Sequence, residues 1–187
     1  MSLRVIAGTW KGRRLAAPAG LATRPIPDRI KQSLFDALGQ DLAGWRVADC
    51  CAGSGAFGIE AASRGAAEVH LIENSPDAAA IIRSNLDHIG NPDSLQLRED
   101  DFEKVLPTLS NLDLVFADPP FPWFRDDPKR ISTLLSLATK AISPEGQVMI
   151  RGERGTKLPS AGQGLHMDDW REYGRSWVAV LRHRKED

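Results

Sequence analysis

Between Arg46 and Ile150 the chain alternates strand-like and helix-like segments, and this alternation limits the fold more than any other feature of the sequence. Short apolar runs at Arg46–Cys50, Glu68–Glu73, Ser94–Arg98, Asp113–Ala117 and Gln147–Ile150 read as strands. Helical patterns separate them at Gly58–Arg64, Pro76–Ile89 and Pro128–Ile142, with a shorter one over Phe102–Leu109. The second of these is well bounded, with Ser75 as cap, Pro76 in the first turn and Gly90 just past the end. Strands joined through helices lie parallel, because the crossover returns each strand to the same end of the sheet. The expected class is therefore α/β, a Rossmann-like and mostly parallel sheet with helices on both faces.

The flanks break the pattern. After Ile150, Gly and Pro crowd the stretch Gly152–Gly164, and the strand-like segments Leu165–Met167 and Trp177–Arg182 have no long helix between them. An antiparallel hairpin at the sheet edge is expected there. At the other end, Leu3–Ala7 and Arg13–Pro18 read as short strands, with Gly8 and Gly12 supplying the turn. Asp28 is placed to cap a helix through Gly39, because Ile30, Leu34 and Leu38 share one face. The chain thus divides into a basic hairpin extension over residues 1–27 and a main domain over residues 28–187.

A chain of 187 residues with 42% hydrophobic content suffices for one core. It shows neither a membrane-length apolar run nor a secretory pattern, so a cytoplasmic protein with no membrane partner is expected. Cys50 and Cys51 are neighbours on a strand, where successive side chains point to opposite faces and cannot readily bridge. No Cys/His spacing suggests a metal. The net charge of −1 conceals an asymmetry: residues 1–31 carry seven Lys/Arg against Asp28 alone, and residues 151–187 carry eight basic against six acidic residues. The body between them is strongly acidic. A basic edge of this kind meets a polyanion, or is simply solvated.

Two motifs carry chemistry. Gly53-x-Gly55-x-x-Gly58 follows the first strand of the alternating region, and Glu73 ends the next. Both a nicotinamide enzyme and a methyltransferase need this arrangement, since backbone must approach the ligand closely and a carboxylate must accept ribose hydroxyls. Asp49 separates them. An extra carboxylate upstream of the glycines repels a pyrophosphate but suits S-adenosylmethionine, which carries an ammonium and a sulfonium. Ala52, Gly53, Ser54 and Gly55 would then form the cofactor turn. Asp100 and Asp101 follow the third strand, where adenine would lie, and Asp100 is the preferred acceptor for its amino group. A glycine turn without any ligand has the same letters.

Asp118-Pro119-Pro120-Phe121 ends the fourth strand. An exocyclic base amine is a weak nucleophile, so it must be held in line with the methyl donor and its protons must face acceptors. Asp118 and the Pro119 carbonyl supply acceptors, the two prolines stiffen the turn, and Phe121 offers a face on which an extruded base can stack. Adenine N6, cytosine N4 and guanine N2 all satisfy this geometry. The alternative is a stiff turn with Phe121 as a core residue, and Trp123 and Phe124 beside it fit either stacking or a core edge.

Several stretches together resemble one family. They are Leu3-Arg4-Val5-Ile6-Ala7-Gly8-Thr9-Trp10-Lys11-Gly12-Arg13-Arg14-Leu15, Arg24-Pro25-Ile26-Pro27-Asp28-Arg29-Ile30-Lys31, Gly58-Ile59-Glu60-Ala61, Ser63-Arg64-Gly65-Ala66 and Asp118-Pro119-Pro120-Phe121. The chain is similar over residues 3–122 to the RsmD family, small bacterial methyltransferases that modify guanine N2 at one position of 16S ribosomal RNA. The resemblance implies a class I methyltransferase domain and S-adenosylmethionine bound by Asp49, Gly53, Gly55 and Glu73. It also implies a guanine amine on Asp118 and a base stacked on Phe121. Arg4, Lys11, Arg13, Arg14, Arg24 and Arg29 would contact RNA, presented by the small ribosomal subunit or an assembly intermediate, to a monomeric enzyme. Two departures stand out: Ile26 and Pro27 replace the family's paired threonines, and the stretch from Pro122 to Asp127 is atypical. An adenine-N6 methyltransferase on DNA or another RNA, and a non-catalytic RNA-binding assembly factor, are the competing readings.

Overall fold

The structure, a computed structural model, describes residues 3–17, 27–159 and 164–184. After a two-strand hairpin, β1 (Leu3–Arg4) and β2 (Arg14–Leu15), come α1 (Asp28–Leu38), β3 (Arg46–Cys50), α2 (Ala56–Ser63), β4 (Glu68–Ile72), α3 (Pro76–Ile89) and β5 (Leu95–Arg98). The second half comprises α4 (Phe102–Val105) with a 3-10 turn, β6 (Leu112–Ala117), α5 (Trp123–Asp126), α6 (Pro128–Ala141), β7 (Ile142–Glu153), β8 (Leu165–Tyr173) and β9 (Ser176–His183). Seven strands form one sheet in the order β5-β4-β3-β6-β7-β9-β8. Strands β3 to β7 run parallel, β9 runs antiparallel to β7, and β8 pairs antiparallel with β9. The expected parallel sheet and C-terminal edge hairpin are both present.

Alternation along the central strands divides the core into two layers. Val47, Leu114 and Phe116 face one cluster with Leu34 and Phe35 of α1, Phe57 and Ile59 of α2, and Ile82 of α3. Ala48, Cys50, Val115 and Ala117 face the other, with Phe102 of α4 and Ile131, Leu134 and Leu135 of α6. Rings of Phe35, Phe57 and Phe116 stack in series, with centroids 4.7 and 3.6 Å apart, and join α1, α2 and β6.

Several boundaries differ from the sequence reading. The N-terminal strands shrink to two residues each: Ile6 and Ala7 donate their N–H groups to the Glu60 carboxylate, at 2.7 and 2.9 Å, and Ala16 donates to Asn85 Oδ1 at 2.7 Å, instead of to strand partners, while Pro18 lies outside the described residues. Asp28 is not the cap of α1. Pro27 holds that position without a side-chain bond, and Asp28 lies in the first turn, paired with Arg4 at 2.8 Å. Helix α2 begins at Ala56, two residues before the expected start, with left-handed Gly55 preceding it. Strand β7 outruns its apolar stretch to reach Glu153, because β9 pairs with it that far. Strand β8 continues to Tyr173, since an edge strand tolerates the polar residues that hide it from a hydrophobicity pattern. Ser75 does cap α3, accepting from Ala78 N–H, and Gly90 ends it in a left-handed conformation.

The hairpin is tied to the body through a buried ionic cluster. Glu60 is fully buried and accepts from Ile6 and Ala7, from Lys31 Nζ at 3.1 Å and from Arg64 Nε at 2.8 Å. Lys31, counted with the basic edge on charge alone, is fully buried as well, and desolvation lowers its pKa despite the Glu60 charge. Ser63 adds a second tie, donating to the Ala7 carbonyl at 2.6 Å and accepting from Trp10 N–H at 3.0 Å. Removing Glu60 would strand two buried cations and two backbone N–H groups. Glu60→Ala is expected to lower stability by about 3–5 kcal/mol, or roughly 6–20 °C in the thermal midpoint for a chain of this size. A shift of only one or two degrees in calorimetry would show that the cluster does not hold the hairpin.

Candidate active site

The strand order reverses between β3 and β6, and the crevice above that switch point is where open α/β sheets bind ligands. Both sequence motifs end there. β3 and β6 pair with Cys50 opposite Ala117, and Asp118 N–H donates to the Cys50 carbonyl at 3.2 Å. The glycine turn and the Asp-Pro-Pro-Phe turn therefore emerge side by side.

Each glycine of the turn has its own physical reason. Gly53 has φ +60° and open space where a Cβ would stand, so its backbone is presented outward. Gly55, at φ +74°, starts α2 from a left-handed conformation. A Cβ on Gly58 would come within 2.3 Å of Leu71 Cδ2, so this residue lets α2 pack against β4. Ala52 closes the turn by accepting from Gly55 N–H at 2.8 Å, and the Ser54 carbonyl accepts from the Asn85 side chain at 2.9 Å.

The acids are placed unequally. Asp49 is 1% exposed and accepts from Gly58 N–H at 2.9 Å, inside the first turn of α2. Burial pushes its pKa well above the ordinary carboxylate value; the Gly58 bond opposes this, and the Asp118 and Glu73 charges add to it. Glu73 follows β4 and accepts from Gly53 N–H at 2.8 Å and Ser75 N–H at 2.9 Å, which sets its carboxylate against the turn. Each oxygen keeps a further lone pair able to accept a hydroxyl. Asp100 is held by Lys104 at 3.0 Å. Asp101 caps α4 through Glu103 N–H at 2.9 Å, accepts from Asn74 at 3.0 Å and pairs with Arg130, whose guanidinium lies 4.3 Å from the Trp123 ring centroid.

On the target side, Pro119 is buried and Pro120 exposed. Phe121 is half-buried and belongs to neither hydrophobic cluster, unlike Phe124, which is buried edge-on against Trp177. Phe121 therefore keeps a ring face outside the core, whereas Phe124 covers a core edge. Sequence reasoning missed Arg151, which lies beside Asp118 and forms two bonds to its carboxylate, 2.8 and 2.7 Å long. The only local sign was a cation continuing the apolar run Val148-Met149-Ile150.

Among the basic residues expected at RNA, Lys11, Arg13, Arg14 and Arg29 are exposed, and Arg4 is exposed while paired with Asp28. Arg24 and the departure at Ile26 lie outside the described residues.

Comparison with known proteins agrees with this geometry. The family described as "Conserved hypothetical protein 95" matches residues 3–182. The Bacillus subtilis protein named "Putative rRNA methyltransferase YlbH" is 31% identical over 188 residues, covering 97% of this chain and 100% of that one. The chain belongs to the RsmD family of methyltransferases. The Escherichia coli member, Ribosomal RNA small subunit methyltransferase D, is 37% identical over 121 residues, which span 64% of this chain and 60% of that protein. A solved structure titled "Putative methyltransferase yhhF from Escherichia coli" superposes with a TM-score of 0.83 at 25% identity, covering 98% of each chain. The fold is that of the class I methyltransferases, and the methyl donor is S-adenosylmethionine. The outward turn at Gly53, the adjoining Glu73 carboxylate and the acid beneath the loop suit that cofactor.

A cofactor ammonium beside Asp49 would favour its charged form and draw down the raised pKa. The sign follows: at a pH between the lowered and raised values, binding releases a proton, and affinity tightens as pH rises through that window. Calorimetry with S-adenosylhomocysteine in buffers of different ionisation enthalpy should detect this release, and Asp49→Asn should abolish it. Equal proton release in both proteins would remove Asp49 from the cofactor site.

Proposed function

We propose that this protein transfers a methyl group to the exocyclic N2 of one guanine in 16S ribosomal RNA. The observation that carries the reading is the junction of the Gly53 turn with Asp118, fastened by the bond from Asp118 N–H to the Cys50 carbonyl. Family membership supports methyl transfer, and the names of the Bacillus subtilis and Escherichia coli relatives support ribosomal RNA as the substrate. Guanine N2 rests on the resemblance carried by the N-terminal motifs.

When bound, S-adenosylmethionine supplies an electrophilic methyl carbon. Glu73 and the backbone from Ala52 to Gly55 would hold it, with Asp49 beneath them. Asp118 accepts an N–H of the target amine, and the Pro119 carbonyl accepts the second, which aligns the nitrogen lone pair with the methyl carbon. Phe121 stacks on the extruded base, a contact of about 1–3 kcal/mol. The cofactor would supply its methyl carbon to this nitrogen and keep the S–C electron pair on its sulfur, and one of the amine protons held by Asp118 and the Pro119 carbonyl would depart to solvent. Asp118→Ala should therefore retain cofactor affinity and lose turnover by about 10²-fold or more. Undiminished turnover would refute the role of Asp118. Nucleoside mass spectrometry of a deletion strain should show loss of N2-methylguanosine, whereas loss of N6-methyladenine would favour the adenine alternative.

The exposed basic residues of the hairpin and Arg29 form the RNA-facing edge in this reading, and the protein acts as a cytoplasmic monomer. Among the described residues, no helix is long and apolar enough to cross a membrane. With a net charge of −1, the chain neutralises few phosphates, so electrostatics alone bind naked RNA weakly. A partly or fully assembled small subunit should be methylated faster than protein-free 16S RNA. Equal rates on the two substrates would contradict presentation by the ribosomal particle.

A further inference from the structure

Parallel pairing of β6 and β7 sets Ala117 opposite Ile150, so the next residues, Asp118 and Arg151, meet at the strand ends. Arg151 is 7% exposed. Its Nε donates to Asp118 Oδ1 at 2.8 Å and its Nη2 to Oδ2 at 2.7 Å, and the guanidinium carbon lies 5.2 Å from the Phe121 ring centroid. One side chain thus touches both groups that the proposed reaction presents to the base.

We propose that Arg151 is a positioning residue that makes Asp118 a fixed, acceptor-only contact and so selects an amino group as the methyl acceptor. This inference rests on the reading that Asp118 meets the target amine. A carboxylate offers about four lone-pair sites, and a guanidinium fork occupies one on each oxygen along a single edge. The remaining sites face away from Arg151. Because both oxygens are held together, the carboxylate cannot rotate about its Cβ–Cγ bond without losing both bonds. The same cation lies over the Phe121 ring and attracts its π face. Amine acceptor and stacking ring are therefore held at a spacing set by one planar group.

Selectivity follows from the hydrogen-bond inventory. A carboxylate already paired with a cation has no proton to donate, so it favours a base edge that brings an N–H. A ring nitrogen or carbonyl oxygen would set lone pair against lone pair, leaving buried acceptors unsatisfied. Lysine cannot substitute for the arginine, because an ammonium is a point charge without the planar fork that grips both oxygens or the flat face that meets the ring.

The test compares wild type with Arg151→Lys and Arg151→Gln. Turnover is measured on small-subunit particles from a strain lacking the enzyme, and S-adenosylhomocysteine affinity by calorimetry, at a temperature where thermal melts show all three folded. Both variants should lose at least about tenfold in kcat, as a misplaced reacting group does, while the S-adenosylhomocysteine Kd stays within about twofold of wild type. Full activity in Arg151→Lys would overturn the proposal, since charge alone would then suffice. A fall in kcat matched by an equal loss of S-adenosylhomocysteine affinity would also overturn it, as the mark of a general structural role. An inactive Asp118→Ala beside a fully active Arg151→Lys would sink only the role of Arg151, whereas an active Asp118→Ala would remove the reading on which it rests.

Discussion

The hydrogen bond from Asp118 N–H to the Cys50 carbonyl, 3.2 Å long, continues the β3–β6 pairing one residue past the sheet and fixes the whole site. At this point the strand order reverses, so the loop after β3 leans toward β4 and Glu73, while the loop after β6 leans toward β7 and Arg151. The residues proposed for the cofactor and those proposed for the target base thereby stand on opposite sides of the switch point. A parallel sheet produces a crevice there from topology alone. The chain adds small residues where backbone must be exposed or a helix must approach, and acids at the strand ends.

A second constraint lies behind the sheet. Burying a carboxylate is costly unless its lone pairs are filled, and Glu60 fills them with two backbone N–H groups of the hairpin and two cations. Helix α2 therefore carries the glycine turn at its N-terminus and holds the hairpin from its later residues, Glu60 and Ser63. Within the stretches Gly58–Ala61 and Ser63–Ala66, which mark the family resemblance, Glu60, Ser63 and Arg64 serve this docking, while Gly58 serves the packing of α2 on β4. Glu60 accepts the hairpin backbone, Ser63 pairs with Ala7 and Trp10, and Arg64 covers the Phe35 ring at 4.6 Å.

Local periodicity suffices for the parallel half of the fold because helix and strand periods there coincide with burial on one or two faces. Helix α3 was readable to the residue, since Ser75, Pro76 and Gly90 act on adjacent backbone. Features set by distant partners were not readable. Lys31 looks like part of a basic surface until Glu60, on another helix, draws it inside. Asp28 has the composition of a cap, yet Pro27 takes that position and Asp28 pairs with Arg4, 24 residues away. Arg151 is the sharpest case, because its role depends on the register of β7 against β6, which no local pattern encodes. In the candidate site, the glycines, Asp49, Glu73 and the Asp-Pro-Pro-Phe turn were visible as motifs. The side chain that grips Asp118 was not.

The most direct measurement is a crystal structure with S-adenosylhomocysteine bound. Its ribose hydroxyls are expected on Glu73, its amino acid portion above Asp49 and its sulfur toward the gap between Asp118 and Phe121. A ligand seated away from the Gly53 turn, or with its sulfur facing away from Asp118, would contradict methyl transfer at this site.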